Sequence, residues 1–220
     1  MNLPFTPEQF FDVFGQYNLA VWPMQLVIYL LAIVALYLAI KPTKFSDRTV
    51  TLILAFFWLW IGIVYHLAFF TSINPGAYLF GGLFIIQGIL FLVTGVWRQK
   101  VSFQPPLNAY SSAGAVLVLY GMLIYPLLGY FFGHVYPRSP TFGLPCPTTI
   151  FTFGLLLWTD HRFPKYLLVI PGIWSIIGFF AALQLGVLED VMLLIAGLVA
   201  TMMIWYRDKH ADKLIPSTSG

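Results

Sequence analysis

His134-Val-Tyr-Pro-Arg-Ser-Pro-Thr-Phe-Gly-Leu-Pro-Cys-Pro-Thr-Thr149 is the most proline-rich connection between two hydrophobic segments of this chain. It holds four prolines (Pro137, Pro140, Pro145, Pro147), the single cysteine Cys146, and one of four histidines. Nearly everything on either side of it is apolar. Hydrophobic residues make up 60% of the 220 and charged residues 9%, with a mean hydropathy of +0.85. Globular domains carry roughly a quarter charged residues. Only a bilayer hides that much apolar surface, so the expectation is an all-α, multi-pass membrane bundle with the lipid bilayer as its partner.

A span needs about 20 apolar residues to cross a hydrocarbon core of about 30 Å. Working outward from the proline-rich stretch, seven segments are expected: 20–41, 49–70, 74–97, 111–134, 147–160, 165–186 and 188–206. The fifth is short enough to be a half-helix. Ahead of them, residues 6–18 read as an amphipathic helix at the membrane surface. Thr6 is its N-cap, Pro7 its first residue, and Gln9 closes a capping box. Phe10, Phe11, Phe14 and Tyr17 take one side, with Glu8, Asp12 and Gln16 elsewhere.

The loops set the orientation. Lys41, Lys44, Arg48, Arg98, Lys100, Arg162, Lys165, Arg207, Lys209 and Lys213 are ten of the eleven basic residues. All ten fall on one side of the seven-span arrangement, which must then be cytoplasmic. Only Arg138 lies opposite. The N-terminus is therefore expected outside and the C-terminus inside. This placement in short loops argues against nucleic acid as the reason for the positive charge. One cysteine excludes an internal disulfide, and no cleavable signal peptide is visible. The chain is expected to form one transmembrane domain with a short polar tail.

Several side chains carry chemistry. With Pro147 as first helical residue, Cys146 would sit near an N-cap, with Thr148 and Thr149 in the first turn. Free N–H groups and the helix dipole there favour a thiolate. Cys146 with His134 would suit a soft cation, with Tyr136 just across the loop. A small buried cysteine in a proline-stiffened loop fits the same residues. His66 would be a proton relay or ligand near the outer end of its span, or an interfacial histidine bonded to a neighbour. Glu189 and Asp190, with Glu8 and Asp12 against the lone Arg138, would make an acidic outer vestibule that concentrates cations. His161 and His210 read as solvated, and Gln87 and Gln184 as helix–helix hydrogen-bonding groups. Pro126 and Pro171-Gly172 predict kinks, and Gly129 with Gly133 a close helix contact. Trp22, Trp58, Trp60, Trp97, Trp158 and Trp205 read mostly as interfacial anchors. No lysine lies inside a span, and no phosphate-binding, zinc-protease or nucleophile-elbow motif occurs. Any cofactor is left undetermined.

Two stretches carry a resemblance. Pro4-Phe-Thr-Pro-Glu-Gln-Phe-Phe-Asp-Val-Phe-Gly-Gln-Tyr-Asn-Leu-Ala-Val-Trp-Pro23 and Phe142-Gly-Leu-Pro-Cys-Pro-Thr-Thr-Ile-Phe-Thr-Phe-Gly154 resemble an uncharacterised bacterial inner-membrane family. That family is a domain of unknown function, labelled as a permease of the major-facilitator type. The resemblance implies a multi-pass protein of the bacterial inner membrane and brings no activity with it. Two six-helix halves, the major-facilitator plan, do not fit into seven spans.

The function expected from these residues is that of a small transporter-like or channel-like protein taking a solute or soft cation at its outer face. His66, His134, Tyr136, Arg138, Thr148, Thr149, Glu189 and Asp190 would bind it, with Cys146 and His134 as metal ligands. The alternatives are an accessory subunit whose loop and first helix dock a partner protein, and a membrane-embedded enzyme. An oligomer is compatible with any of them.

Overall fold

A computed structural model of the chain describes residues 3–105, 107–160 and 163–214, with side chains through residue 210. Expectations that fall on His161, Arg162 and the Lys213 side chain lie outside the described residues. Helices dominate: α1 (Pro7–Ala20), α2 (Met24–Ile40), α3 (Ser46–Trp60), α4 (Ala77–Phe91), α5 (Ala109–Leu119), α6 (Tyr125–Phe131), α7 (Pro145–Leu156), α8 (Val169–Leu185) and α9 (Val191–Leu214). Wider π-type turns continue α3 through Ile61–Phe69 and α4 through Leu92–Trp97, and Tyr120–Ile124 joins α5 to α6.

Among the described residues, five continuous helices are long and apolar enough to cross a membrane. They are Ser46–Ser72, Ala77–Trp97, Ala109–Phe131, Lys165–Leu185 and Leu188–His210. These match five of the seven expected segments. The first expected segment differs, because its helix α2 has 17 residues and is bent by 83° from α1; the pair together would count as a sixth. The fifth is the 12-residue α7, about 18 Å long at the usual helical rise. It cannot reach across a bilayer core by itself.

Protein encloses it instead. From Pro147 to Leu156 every residue of α7 is buried, walled in by α5, α8, α9 and the Tyr120–Ile124 turn. Threonines serve this setting because their hydroxyls return to the helix's own carbonyls. Thr149 Oγ1 donates to the Pro145 carbonyl (2.7 Å) and Thr152 Oγ1 to that of Thr148 (2.8 Å). A close backbone approach joins α5 and α7, where a Cβ on Gly114 would sit 2.7 Å from the Gly154 carbonyl oxygen. The Gly129/Gly133 contact expected from spacing does not form. Gly133 lies beyond α6 at φ +90 with nothing near its Cβ position, and Gly129 faces Glu189 and His134.

The expected basic side of the bundle comes together as one end. Phe103 N–H donates to Asp47 Oδ1 (2.9 Å), Phe103 bridges to Thr159, and Arg207 donates to the carbonyls of Thr159 and Asp160. Lys165 approaches Asp208 there at 3.8 Å.

The two prolines expected to kink their helices behave differently. Pro126 follows the widened Tyr120–Ile124 turn. Pro171 instead lies early in α8, just past the turn Lys165–Leu168 that leads into it. Tryptophans also divide. Trp22, Trp97 and Trp205 are exposed, whereas Trp58 and Trp158 are buried and donate to Thr152 Oγ1 and the Ser111 carbonyl. Burial of an indole with its N–H satisfied is packing, not anchoring.

Candidate functional site

At the end of the bundle opposite the basic residues, α1 begins as its sequence predicts. Thr6 accepts from Gln9 N–H, the Gln9 side chain accepts from Thr6 N–H, and Pro7 is first in the helix. Glu8, Asp12 and Gln16 are exposed, and Val13, Phe14 and Tyr17 are buried. The apolar face meets protein. Phe10 packs on Phe70, Phe14 on Tyr65, and Tyr17 on Tyr65 and Phe69, with ring centroids 5.5–6.0 Å apart. Trp60 Nε1 donates to the Tyr17 hydroxyl at 2.9 Å. Burial pushes that hydroxyl's pKa up to about 12, with the Trp60 N–H a smaller opposing influence.

The proline-rich stretch is fastened to α1 by one residue that the sequence reading passed over. Asn18, fully buried, donates through Nδ2 to the carbonyls of Pro137 (2.7 Å) and Ser139 (2.8 Å) and accepts from Thr141 Oγ1 (3.0 Å). Arg138 pairs with Asp12 at 2.8 Å on the exposed side, and the Tyr136 hydroxyl reaches the Asn18 carbonyl at 3.4 Å. Tyr136 and Arg138 therefore hold the loop to the helix.

Helix α7 starts two residues earlier than expected. Pro145 takes the first position and Cys146 the second, with Leu144 as N-cap. Thr148 Oγ1 accepts from Gly143 N–H at 3.2 Å, and Thr149 is turned to the Pro145 carbonyl. Both threonines are fully buried, with their hydroxyls engaged locally.

The acids of the short turn Leu188–Asp190 form the chemical centre. Both are buried, Glu189 at 0% and Asp190 at 5% exposure. Glu189 Oε1 meets His134 Nδ1 at 2.7 Å, while its Oε2 is buried without a partner among the described residues. Asp190 Oδ1 accepts a short hydrogen bond from the Tyr125 hydroxyl, and the Cys146 thiol lies within hydrogen-bonding reach of the same carboxyl. Tyr120 donates to the Glu189 carbonyl at 2.8 Å. Cys146 and His134, expected as a pair of metal ligands, thus go to different carboxyls. Among the described residues no three His, Cys, Asp or Glu side chains are grouped to hold a metal ion.

Asp190, Tyr125 and Cys146 line one side of a cavity of about 550 Å³. Its other walls are apolar: Phe5, Phe10 and Phe14 from the N-terminal segment, Phe70 and Phe80, and Trp174, Ile177 and Ala181 from α8. Gln184, expected between helices, is exposed and contributes to this lining. His66 stands behind the Trp174 wall, fully buried among Tyr65, Phe70, Phe80, Phe84 and Trp174, with neither ring nitrogen partnered among the described residues. It is an aromatic-box histidine, not a rim residue. His210, by contrast, stacks on Tyr206 and is exposed.

Tyr125, Tyr120 and Trp174 were missed because isolated aromatics in apolar helices carry no sequence signal. The nearest clue to Tyr125 was its place before Pro126.

Neither the curated proteins nor the solved structures yield a match to the chain. A family model does, over residues 7–213, which takes in α1, the proline-rich stretch and the Glu189-Asp190 pair. On that match the chain belongs to the family of unknown function DUF6064.

Proposed function

We propose that this is a transporter-like protein of the bacterial inner membrane that takes a small solute into the cavity beneath α1. The observation that carries the reading is the cavity itself. Ligand sites are concave, mostly apolar and furnished with a few converging polar groups, and this one sets Asp190, Tyr125 and Cys146 against aromatic walls. In this reading α1 lies at the outer surface, the basic end is cytoplasmic, and all seven segments belong to one transmembrane domain. The short α7 then acts as a half-helix whose N-terminal end opens on the site, an arrangement common in carriers. The aromatic packing of α1 on Tyr65 and Phe70 makes it a roof for the site.

Cys146 supplies the test, since it is the only cysteine. In oriented vesicles a carrier that alternates between faces exposes it to a membrane-impermeant maleimide from either side, one side at a time. An accessory subunit holds it accessible from one side only, and labelling confined to the α1 side would overturn the transport reading.

A further inference from the structure

The ligand's chemistry follows from what surrounds Asp190, given the solute-cavity reading above. Glu189 is answered by His134, whereas its neighbour Asp190 is the acid among the residues lining the cavity. No lysine, arginine or histidine is among the residues lining the cavity. Arg138 is turned to Asp12 on the exposed side of α1. The cavity therefore has an acidic floor without a basic partner, under walls of Phe10, Phe14, Phe70, Phe80 and Trp174. Aromatic faces attract cations, and more so away from water.

A second observation marks the floor as incomplete. Trp174 is 7% exposed, lines the cavity, and its Nε1 has only the Cys146 thiol, a weak acceptor, within reach among the described residues. That nitrogen lies beside Gly178, 3.7 Å from where a Cβ there would stand, with Cys146 Sγ at 3.5 Å from the same point. Buried donors are nearly always satisfied in folded proteins. The rim offers a route in: Ile176 and Phe180 of α8 line the cavity and are 51% and 57% exposed.

We propose that the cavity binds a lipophilic amine, its ammonium group at Asp190 and its apolar body between the α1 phenylalanines and Trp174. A carboxyl in a cavity without a basic partner favours a cation over a neutral analogue of the same shape.

Protection of Cys146 from alkylation reads this directly in the intact protein. The probes are phenylpropylamine and phenylpropanol, alike in body and different in head group. The amine is expected to slow alkylation at least tenfold at a concentration where the alcohol slows it less than twofold. Asp190→Asn keeps an acceptor for Tyr125 and is expected to erase the difference. Ala181→Phe fills the cavity with the acid intact and is expected to abolish protection by either probe. Equal protection by amine and alcohol, none by the amine, or amine selectivity retained in Asp190→Asn would each overturn the assignment. Full protection by the amine in Ala181→Phe would overturn it as well, and holds even should Asp190→Asn fail to fold. Two-sided maleimide labelling with no amine preference would leave the transport reading standing while this assignment falls.

Discussion

The Tyr29 hydroxyl of α2 donates to the Met122 carbonyl at 2.9 Å, and Met122 stands four residues before Pro126. A proline has no N–H to return to the carbonyl one helical turn back. The same repair recurs elsewhere: Gln87 Nε2 of α4 donates at 3.0 Å to the Leu167 carbonyl, four residues before Pro171. In an apolar bundle an unmet carbonyl is costly, so neighbouring helices supply the missing donor. Each repair also ties two helices at a fixed depth.

Tyr29→Phe and Gln87→Leu are each expected to lower stability by about 1 to 2 kcal/mol. The two sites share no partner, so the losses should add in the double variant. Thermal unfolding in one detergent checks this, and two variants melting with wild type would remove the repair role.

Loosening the loop should be possible at a single residue. Asn18→Leu removes three hydrogen bonds that hold residues 137–141 to α1. Hydrogen exchange across 136–144 is expected to rise at least tenfold, with little change in α4 or α9. Unchanged protection would mean that Asn18 is not what holds the loop, leaving Tyr136, Arg138 and the prolines to do so.

For the His134–Glu189 contact the expected order is uneven. His134→Ala leaves a fully buried carboxyl without its partner, at a cost of about 3 kcal/mol. Glu189→Gln removes the charge and should cost about 1 kcal/mol. The double variant should then be more stable than His134→Ala alone, and a double variant less stable than both would contradict this account.

Gly154→Ala should be the most damaging small substitution on α7. Its Cβ would lie 2.8 Å from the Gly114 carbonyl oxygen and 2.9 Å from the Val118 nitrogen, and backbone atoms do not move aside cheaply. A loss of about 2 kcal/mol is expected, within the range of overpacked cores. Gly172→Ala, with nothing near its Cβ position, is the control and should be neutral.

Alkaline pH should act through Tyr17. Its hydroxyl is held up to about 12 by burial, against an ordinary 10.0. The folded state keeps its proton longer than the unfolded state does. The stabilisation is therefore full below pH 10 and declines as pH rises toward 12, by on the order of 2 kcal/mol for this group. Stability measured across that window should fall less steeply in Tyr17→Phe than in wild type. Parallel curves would show that α1 does not hold the hydroxyl buried.

What the sequence determined by itself was whatever depends on local pattern. Apolar runs marked five long helices to within a few residues. Thr6, Pro7 and Gln9 specified the start of α1 because a capping box is made within one turn. Basic residues marked one end of the bundle because charge placement follows loop order. Gln87 was legible as an interhelical donor, since a lone amide among apolar residues has few other uses.

Tertiary structure decided the rest. Pro145 and Pro147 both suit a first helical turn, and the folded chain begins α7 at Pro145. Whether a 12-residue apolar helix faces lipid or lies walled in by its neighbours depends on those neighbours, and its own composition suits either. The site is assembled the same way. His134, Tyr125 and Cys146 come from three separate segments to two adjacent carboxyls, and these pairings depend on how the helices cross. Crossing is set by side-chain packing and by close approaches such as Gly114 to Gly154, distances that no spacing along the chain encodes.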